Sequence, residues 1–141
     1  MTNDIFRLAY ISRNDGLNDP AELDDLLASA RRNNAALDVT GALLFSRDCF
    51  AQVLEGPMLN VSQVFERIQL DGRHSEVVVL MAEQGVTRRF PDWAMAYAGE
   101  DAAARERFST MGFEALRERA VSGGEILAML DGAVHRAPPV I

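Results

Sequence analysis

The sequence predicts an α+β fold: one mixed five-stranded sheet with two helices on one face and a helical extension after it. Short segments with a two-residue apolar period alternate with segments whose apolar residues recur every three or four positions. Their order is strand, helix, strand, strand, helix, strand, strand. Right-handed crossovers at the two helices place both on the same side of the sheet. The chain has 141 residues, 48% of them hydrophobic, which suits a single domain with a substantial core.

Composition and charge exclude several classes of function. A net charge of -7 argues against a nucleic-acid surface. Cys49 is the single cysteine, which excludes an internal disulfide and a multi-cysteine metal site. His74 and His135 show no ligand spacing, so no metal is expected. There is no apolar run near the roughly 20 residues of a membrane span and no signal-peptide pattern. We therefore expect a cytoplasmic protein without membrane or nucleic-acid partners.

The first strand and the first helix can be placed from local patterns. Residues 5–12 alternate as a strand does and carry apolar side chains on both faces, which predicts a central position in the sheet. Asp19 as a cap and Pro20 in the first turn begin a helix. It is predicted to run to about Asn34 and brings Asn33 and Asn34 to its core-facing end. Asparagine is also common where helices end, so helix termination is the alternative.

A hairpin follows, formed by strands at 38–46 and 50–57. Phe50, Gln52 and Leu54 share one face of its second strand, so an amide lies between two large apolar neighbours. An unpaired buried amide costs roughly 1–3 kcal/mol. Gln52 therefore either finds partners in the core or lies in water on an edge strand, and the stretch leaves both interpretations open.

A second helix begins at Met58, and strands at 75–82 and 93–97 complete the sheet. This order is that of a ferredoxin-like α+β fold. Arg67 and Asp71 lie one turn apart and border the apolar stripe of the second helix. The alternative for this pair is an ordinary surface ion pair, worth about 0–1 kcal/mol.

The chain divides into residues 1–98, which form the sheet domain, and a C-terminal helical extension at 99–141. Residues 101–120 are charged and are predicted to be helical, and Ser122 and Glu125 resemble a capping box that begins a second short helix. The apolar residues of the first of these helices are Phe108, Met111, Phe113 and Leu116. This stripe either covers the bare face of the sheet or is the surface that couples the domain to a neighbour.

Polar groups converge on the helix-covered face, where a gap between two helices suits a flat ligand. They are Tyr10, Asn33, Asn34, Gln52, Arg67 and Asp71. Amides, a phenol and a guanidinium match the edge of an isoalloxazine, which alternates carbonyl oxygens with an N–H. We find no placed general base, so the set suits hydrolysis poorly.

Four segments in register resemble the BLUF domain, a blue-light sensor using FAD. They are Leu8-Ala9-Tyr10-Ile11-Ser12, Arg32-Asn33-Asn34 with Val39-Thr40-Gly41, Phe50 to Pro57, and Arg88-Arg89-Phe90-Pro91-Asp92-Trp93-Ala94-Met95. The resemblance covers roughly residues 5 to 98. It implies a flavin cofactor, FAD with FMN as the alternative, and a photoreceptor rather than an enzyme. The partner protein is not specified, and we expect a homo-oligomer.

The resemblance also implies photochemical and signalling roles. Tyr10 corresponds to the tyrosine that donates an electron to the excited flavin. Gln52 corresponds to the glutamine between that phenol and the flavin N5 and C4 carbonyl, and its amide is expected to rotate or tautomerise. Trp93 and Met95 correspond to the pair that alternately approaches the glutamine, with Ser12 near the Trp93 side.

The remaining roles concern cofactor binding. Asn34 corresponds to the residue that binds the C4 carbonyl and N3 edge, and Asn33 to the one on the C2 side. Arg67 is expected to reach the C2 carbonyl, with Asp71 holding its guanidinium. Leu26 is expected to pack against the ring.

Two other classes of function share this fold. An acylphosphatase-like or flavin-reductase enzyme is disfavoured because the sequence has no phosphate-binding glycine loop and no placed base. A plain ligand-binding or dimerisation module predicts no visible chromophore and no effect of light.

Overall fold

The computed structural model describes residues 4–16, 19–46, 48–98, 108, 112–118 and 120–136. The elements are β1 (Ile5–Asn14), α1 (Pro20–Ala36), β2 (Thr40–Phe45), β3 (Cys49–Pro57), α2 (Met58–Gln69), β4 (His74–Gln84), β5 (Ala96–Tyr97), α3 (Phe113–Glu118) and α4 (Gly123–Arg136). The order predicted up to the fifth strand is the order observed.

One mixed sheet contains all five strands, in the order β4-β1-β3-β2-β5. β1 is antiparallel to β3 and β4, β2 is antiparallel to β3, and β5 is parallel to β2. The strand pairs joined through α1 and through α2 are therefore each parallel, with one antiparallel strand between them. The prediction of a ferredoxin-like α+β fold is confirmed.

The two faces of the sheet carry separate cores. Tyr10, Phe50 and Leu54 pack on the face covered by α1 and α2. The intervening residues of the same strands, such as Ile11 and Val53, belong to a second core on the opposite face. The two-residue alternation predicted for β3 is therefore confirmed.

The C-terminal helices cover the face that α1 and α2 leave open. Three residues of the predicted apolar stripe, Phe108, Phe113 and Leu116, are buried in the second core. The fourth, Met111, lies outside the described residues. Of the two alternatives for this stripe, the structure shows that the three described residues cover the bare face of the chain's own sheet.

The prediction of one continuous helix over 101–120 is wrong at Gly112, which is not helical. The helix begins anew at Phe113 because Asp48, in the β2–β3 turn, accepts a hydrogen bond of 3.3 Å from the Phe113 N–H. The predicted capping box of the last helix is present: Ser122 and Glu125 exchange two hydrogen bonds of 3.1 Å.

The last strand is shorter than predicted. It comprises Ala96–Tyr97 instead of 93–97, because side chains of α1 bind two carbonyls of the preceding segment. Asn34 donates to the Ala94 carbonyl and Arg31 to the Met95 carbonyl. The residues before the strand therefore bind side chains of α1 and do not form regular strand pairing.

A buried ion pair fixes the loop that leads into this segment. Arg7 Nε lies 2.8 Å from Glu55 Oε2, with both side chains buried. The Glu55 carboxylate also accepts hydrogen bonds from the backbone N–H groups of Arg89 and Phe90. Three donors thus satisfy one buried carboxylate, so the chain is fixed in place just before Trp93.

In the part of the chain that the structure describes, no helix is long and apolar enough to cross a membrane. Among the same residues, no group of three or more histidine, cysteine or acidic side chains is placed to hold a metal ion.

Candidate functional site

A cleft of about 690 Å³, counted with its open mouth, lies on the helix-covered side of the sheet. Its apolar walls include Leu26 and Ala30 of α1, Val64 and Ile68 of α2, and Leu43 of β2. Its polar lining consists of Ser29, Asn33, Asn34, Gln52, Arg67, Asp71, Arg73 and His74. Apolar walls with a small number of polar groups are typical of small-molecule sites. The structure thus brings the predicted binding residues to one place.

Tyr10 and Gln52 meet beneath this cleft. The Tyr10 hydroxyl donates a hydrogen bond to Gln52 Oε1, and its ring packs against Phe65 at a centroid distance of 5.2 Å. Burial, with a smaller contribution from the negative charge of Asp71, raises the pKa of Tyr10 above its ordinary value. The phenol is therefore protonated and directed at the amide. Of the two interpretations left open for Gln52, the core position is the one observed.

The other end of the Gln52 amide contacts Met95. Gln52 Nε2 donates to Met95 Sδ at 3.4 Å, and both residues are buried. A thioether is a weak acceptor, so little free energy holds this side of the amide in place. Trp93 is half-buried and packs against the core on the opposite face of the sheet. Of the Trp93 and Met95 pair, Met95 occupies the position beside the glutamine.

Asn34 links the cleft to the segment that carries Met95. It is 1% exposed, and its Nδ2 donates to the Ala94 carbonyl at 2.9 Å. Its backbone carbonyl accepts from the Val39 N–H, which directs the chain from α1 into β2. Asn34 therefore lies at a helix end and also lines the cleft. A binding role and helix termination are compatible for this residue. Asn33 and Leu26 are half-buried on the same wall of the cleft.

At the end of α2 the structure differs from the expectation that Asp71 holds Arg67. The Asp71 carboxylate pairs with Arg73 at 2.6 Å, while Arg67 is exposed at the cleft wall. Asp71 Oδ1 also accepts from the Arg73 N–H at 3.0 Å, so the turn after the helix brings these two residues together. The bond from the Arg73 side chain holds the pKa of the Asp71 carboxyl below its usual range. Arg73 follows the helix, where no periodic pattern identifies it.

The expected position of Ser12 near Trp93 is also not found, because the two residues lie on opposite faces of the sheet. Ser12 is buried and its Oγ shares a hydrogen bond of 2.9 Å with His74 Nδ1. The His74 ring packs on Phe50 at a centroid distance of 4.2 Å. Burial lowers the pKa of His74 to about 4, although the negative charge of Asp71 opposes the shift. The imidazole is therefore neutral at pH 7.

These side chains fit a flavin ring. Apolar side chains of two helices line the cleft, which suits a flat heterocycle, and the amide and guanidinium groups among the lining can donate hydrogen bonds to the carbonyl oxygens of such a ring. Buried phenol and amide groups lie directly below. Sequence reasoning missed His74 and Arg73, because only the β1–β4 pairing and the turn after α2 place them in the cleft.

Comparison with known proteins decides the family. The model of the BLUF family, described as sensors of blue-light using FAD, matches residues 5–96. This chain belongs to the BLUF family. The resemblance identified in the sequence is confirmed, and with it a flavin as the cofactor class. A family of sensors also agrees with the expectation that the domain is not an enzyme.

Relatives support this assignment over different lengths. The blue light- and temperature-regulated antirepressor BluF of Escherichia coli K12 is 38% identical over 69 residues, which are 49% of this chain and 17% of that protein. The chain thus spans less than a fifth of this relative. The dark-state structure of the BLUF protein BlrB has a TM-score of 0.74 and 28% identity, covering 96% of this chain and 98% of that chain. The photo-activated structure of BlsA has a TM-score of 0.75 and 27% identity, covering 97% and 99%.

Proposed function

We propose that this BLUF chain is a blue-light photoreceptor in which Tyr10 and Gln52 convert light absorption into a displacement of the segment that carries Met95. The observation that supports this is a continuous series of contacts from phenol to amide to thioether. A flavin bound in the cleft supplies the visible absorption and, when excited, a one-electron oxidant. The steps below concern the protein's own side chains.

Tyr10 is the proposed electron donor. Its phenol is neutral and fully buried, so the hydroxyl proton has one direction in which to move, toward Gln52 Oε1. A phenol that gives up an electron becomes a strong acid, so loss of the electron drives this transfer. The electron and the proton both return to Tyr10 at the end of the cycle, and nothing is consumed.

Gln52 is the proposed switch. Rotation of its amide would place Oε1 where Nε2 now meets the Met95 sulfur, and two acceptors would then face each other. Tautomerisation instead changes which atoms carry protons and leaves the heavy atoms in place. Either change alters the bond to Met95. A hydrogen-bond change of this kind supplies about 1–3 kcal/mol of coupling to a conformational equilibrium.

The flavin ring is proposed to be held by residues of both helices. Asn33, Asn34 and Leu26 are assigned to the α1 side, and Arg67 and Asp71 to the α2 side, with Arg73 added because it lines the same cleft. FAD is the proposed cofactor because the family's description names it. FMN carries the same ring and is the alternative.

The output is proposed to reach a partner protein. Residues 1–98 are assigned as the light-sensing domain and 99–141 as the extension that passes the signal on, because α3 and α4 pack on the reverse face of the same sheet. Neither nucleic acid nor a membrane is proposed as a partner. Self-association and a cytoplasmic location stay predictions.

The test is an absorption spectrum of the purified protein before blue light, after it and after recovery in the dark. We expect a yellow protein whose flavin band shifts reversibly to the red. A colourless preparation, or a yellow one whose spectrum does not respond to light, would contradict the proposal.

A further inference from the structure

Three consecutive carbonyls just before β5 are each bound by a different neighbour. The Trp93 carbonyl accepts from the Gly41 N–H of β2 at 3.0 Å. The Ala94 carbonyl accepts from Asn34 Nδ2 and the Met95 carbonyl from Arg31 Nε, both at 2.9 Å. Hydrogen bonds from α1 and β2 thus fix the segment that presents the Met95 sulfur to Gln52.

Arg31 differs from the other two donors in its relation to the cleft. Asn34 lines the cleft, so changing it also alters the cofactor site, and the Gly41 donor is a backbone group. Arg31 is half-buried on α1, one turn before Asn34, and is not among the described residues that line the cleft. Arg31 binds the backbone carbonyl of Met95, and the side chain of Met95 accepts a hydrogen bond from Gln52.

We propose that Arg31 is a positioning residue that holds the Met95 carbonyl and so favours the arrangement in which the Met95 sulfur meets Gln52. This inference rests on the proposed function, and it adds a residue of α1 to the switch. Displacement of the segment after the Gln52 amide changes must stretch or break the Arg31 bond, so the bond favours the arrangement shown by the structure over the displaced one. Arg31 therefore sets how far the segment responds and how readily it returns.

The expected effect follows from the strength of one hydrogen bond. Loss of a partly exposed bond from a charged donor to a carbonyl changes a two-state population by about three- to tenfold. The bond belongs to the arrangement shown by the structure, so its removal raises the free energy of that arrangement. We infer that the bond re-forms early in the return, so without it recovery in the dark should slow by a similar factor.

The experiment compares Arg31→Ala with Arg32→Ala in the full chain. Arg32 is the next residue, has the same charge and is exposed, so the pair separates the loss of the contact from the loss of a charge. Trp93 is the single tryptophan, which makes its fluorescence a direct measure of the 93–95 segment. Acrylamide quenching is recorded in the dark on the protein as purified, and dark recovery of the red shift is recorded on the same preparation.

Arg31→Ala should show stronger quenching of Trp93 and three- to tenfold slower recovery, while Arg32→Ala should match the wild type in both. Arg31→Lys, which keeps a cationic donor, should restore part of each change, and it replaces Arg31→Ala if that variant does not fold. Equal quenching in the Arg31 and Arg32 variants, or a recovery that is unchanged or faster, overturns the proposal. If the wild type shows no red shift, the proposed function fails, and Trp93 quenching then decides whether Arg31 holds the segment.

Discussion

Tyr10 and Gln52 are joined twice, as directly paired residues of β1 and β3 and by the hydrogen bond from the phenol to the amide oxygen. Residues directly opposite each other in an antiparallel pair have Cβ atoms about 4.5–5.5 Å apart. The strand pairing therefore sets their separation, and the side chains add only the last contact. The proposed donor and switch occupy fixed positions in the most buried part of the sheet.

Replacing the phenol tests the donor assignment. Tyr10→Phe should keep bound flavin and the contact with Phe65, but it should lose the reversible red shift because no oxidisable hydroxyl remains beside Gln52. Gln52 Oε1 loses its donor, so the free energy of unfolding should fall by about 1–3 kcal/mol. Light-minus-dark absorption and urea unfolding measure the two effects. Tyr97→Phe changes the chain's other tyrosine and should keep the red shift; a normal photocycle in Tyr10→Phe would refute the assignment.

Removing the amide tests the switch. Gln52→Leu should retain flavin and give no red shift, since no amide remains to change its hydrogen bonds to Tyr10 and Met95. The apolar side chain suits the buried site, while the phenol loses its acceptor at a cost of about 1–3 kcal/mol. The readout is again the light-minus-dark spectrum. Gln69→Leu, on the exposed side of α2, is the matched control, and a wild-type shift in Gln52→Leu would rule out this residue as the switch.

Asn34→Ala tests the helix-end amide. Flavin affinity should fall about five- to tenfold, the loss expected for one hydrogen bond to the ring. The matched control is Asn60→Ala, because Asn60 Nδ2 also donates to a backbone carbonyl, that of Leu37, at 2.7 Å. Both variants lose an amide-to-carbonyl bond, so their stability losses should be similar, and only Asn34→Ala should release flavin. Equal flavin affinities, measured by titration of the apoprotein, would show that Asn34 does not hold the ring.

The free energy of unfolding should depend on pH through His74, and the sign of that dependence follows from its pKa. Its pKa is lowered from 6.5 to about 4 in the folded protein, chiefly by burial, in the presence of Asp71, Arg73 and Asp15. Between these two values the unfolded chain binds more protons, so stability should fall as the pH falls from 6.5 toward 4. The loss should reach about 1–3 kcal/mol for this residue.

Urea unfolding at pH 7.5 and at pH 4.5 measures that loss in the wild type and in His74→Leu. The variant loses the Ser12 hydrogen bond and should be less stable at both pH values, but its stability should change less between them. A variant with the same pH dependence as the wild type would show that His74 does not remain neutral in the folded protein.

Local patterns predicted most of the fold because the determining features lie within each segment. Period-two alternation placed Gln52 with Phe50 and Leu54, and all three share the helix-covered side of β3. The Asp19 cap begins α1 through a bond of 2.9 Å from the Ala21 N–H, as expected. Errors occurred where distant residues decide: the break at Gly112 depends on Asp48, and the late start of β5 depends on α1.

The same distinction applies to the cleft. The residues predicted to line it lie on regular elements, whereas Arg73 and His74 follow the turn after α2 and reach the cleft only because β4 pairs with β1. The prediction that Asp71 pairs with Arg67 was wrong for a related reason. Helical spacing favours Arg67, one turn away, but the turn places Arg73 closer and adds a backbone donor.

The most direct test of the account follows the Met95 methyl group by NMR, with ¹³C-methyl methionine in the dark, under blue light and after recovery. The chain has six methionines, and Met95→Leu identifies the resonance. The account predicts that the Met95 signal shifts under light and returns in the dark, and that it stays fixed in Tyr10→Phe and in Gln52→Leu. A flavin band that shifts reversibly while the Met95 signal does not move would contradict the proposal that the glutamine passes the signal to this residue.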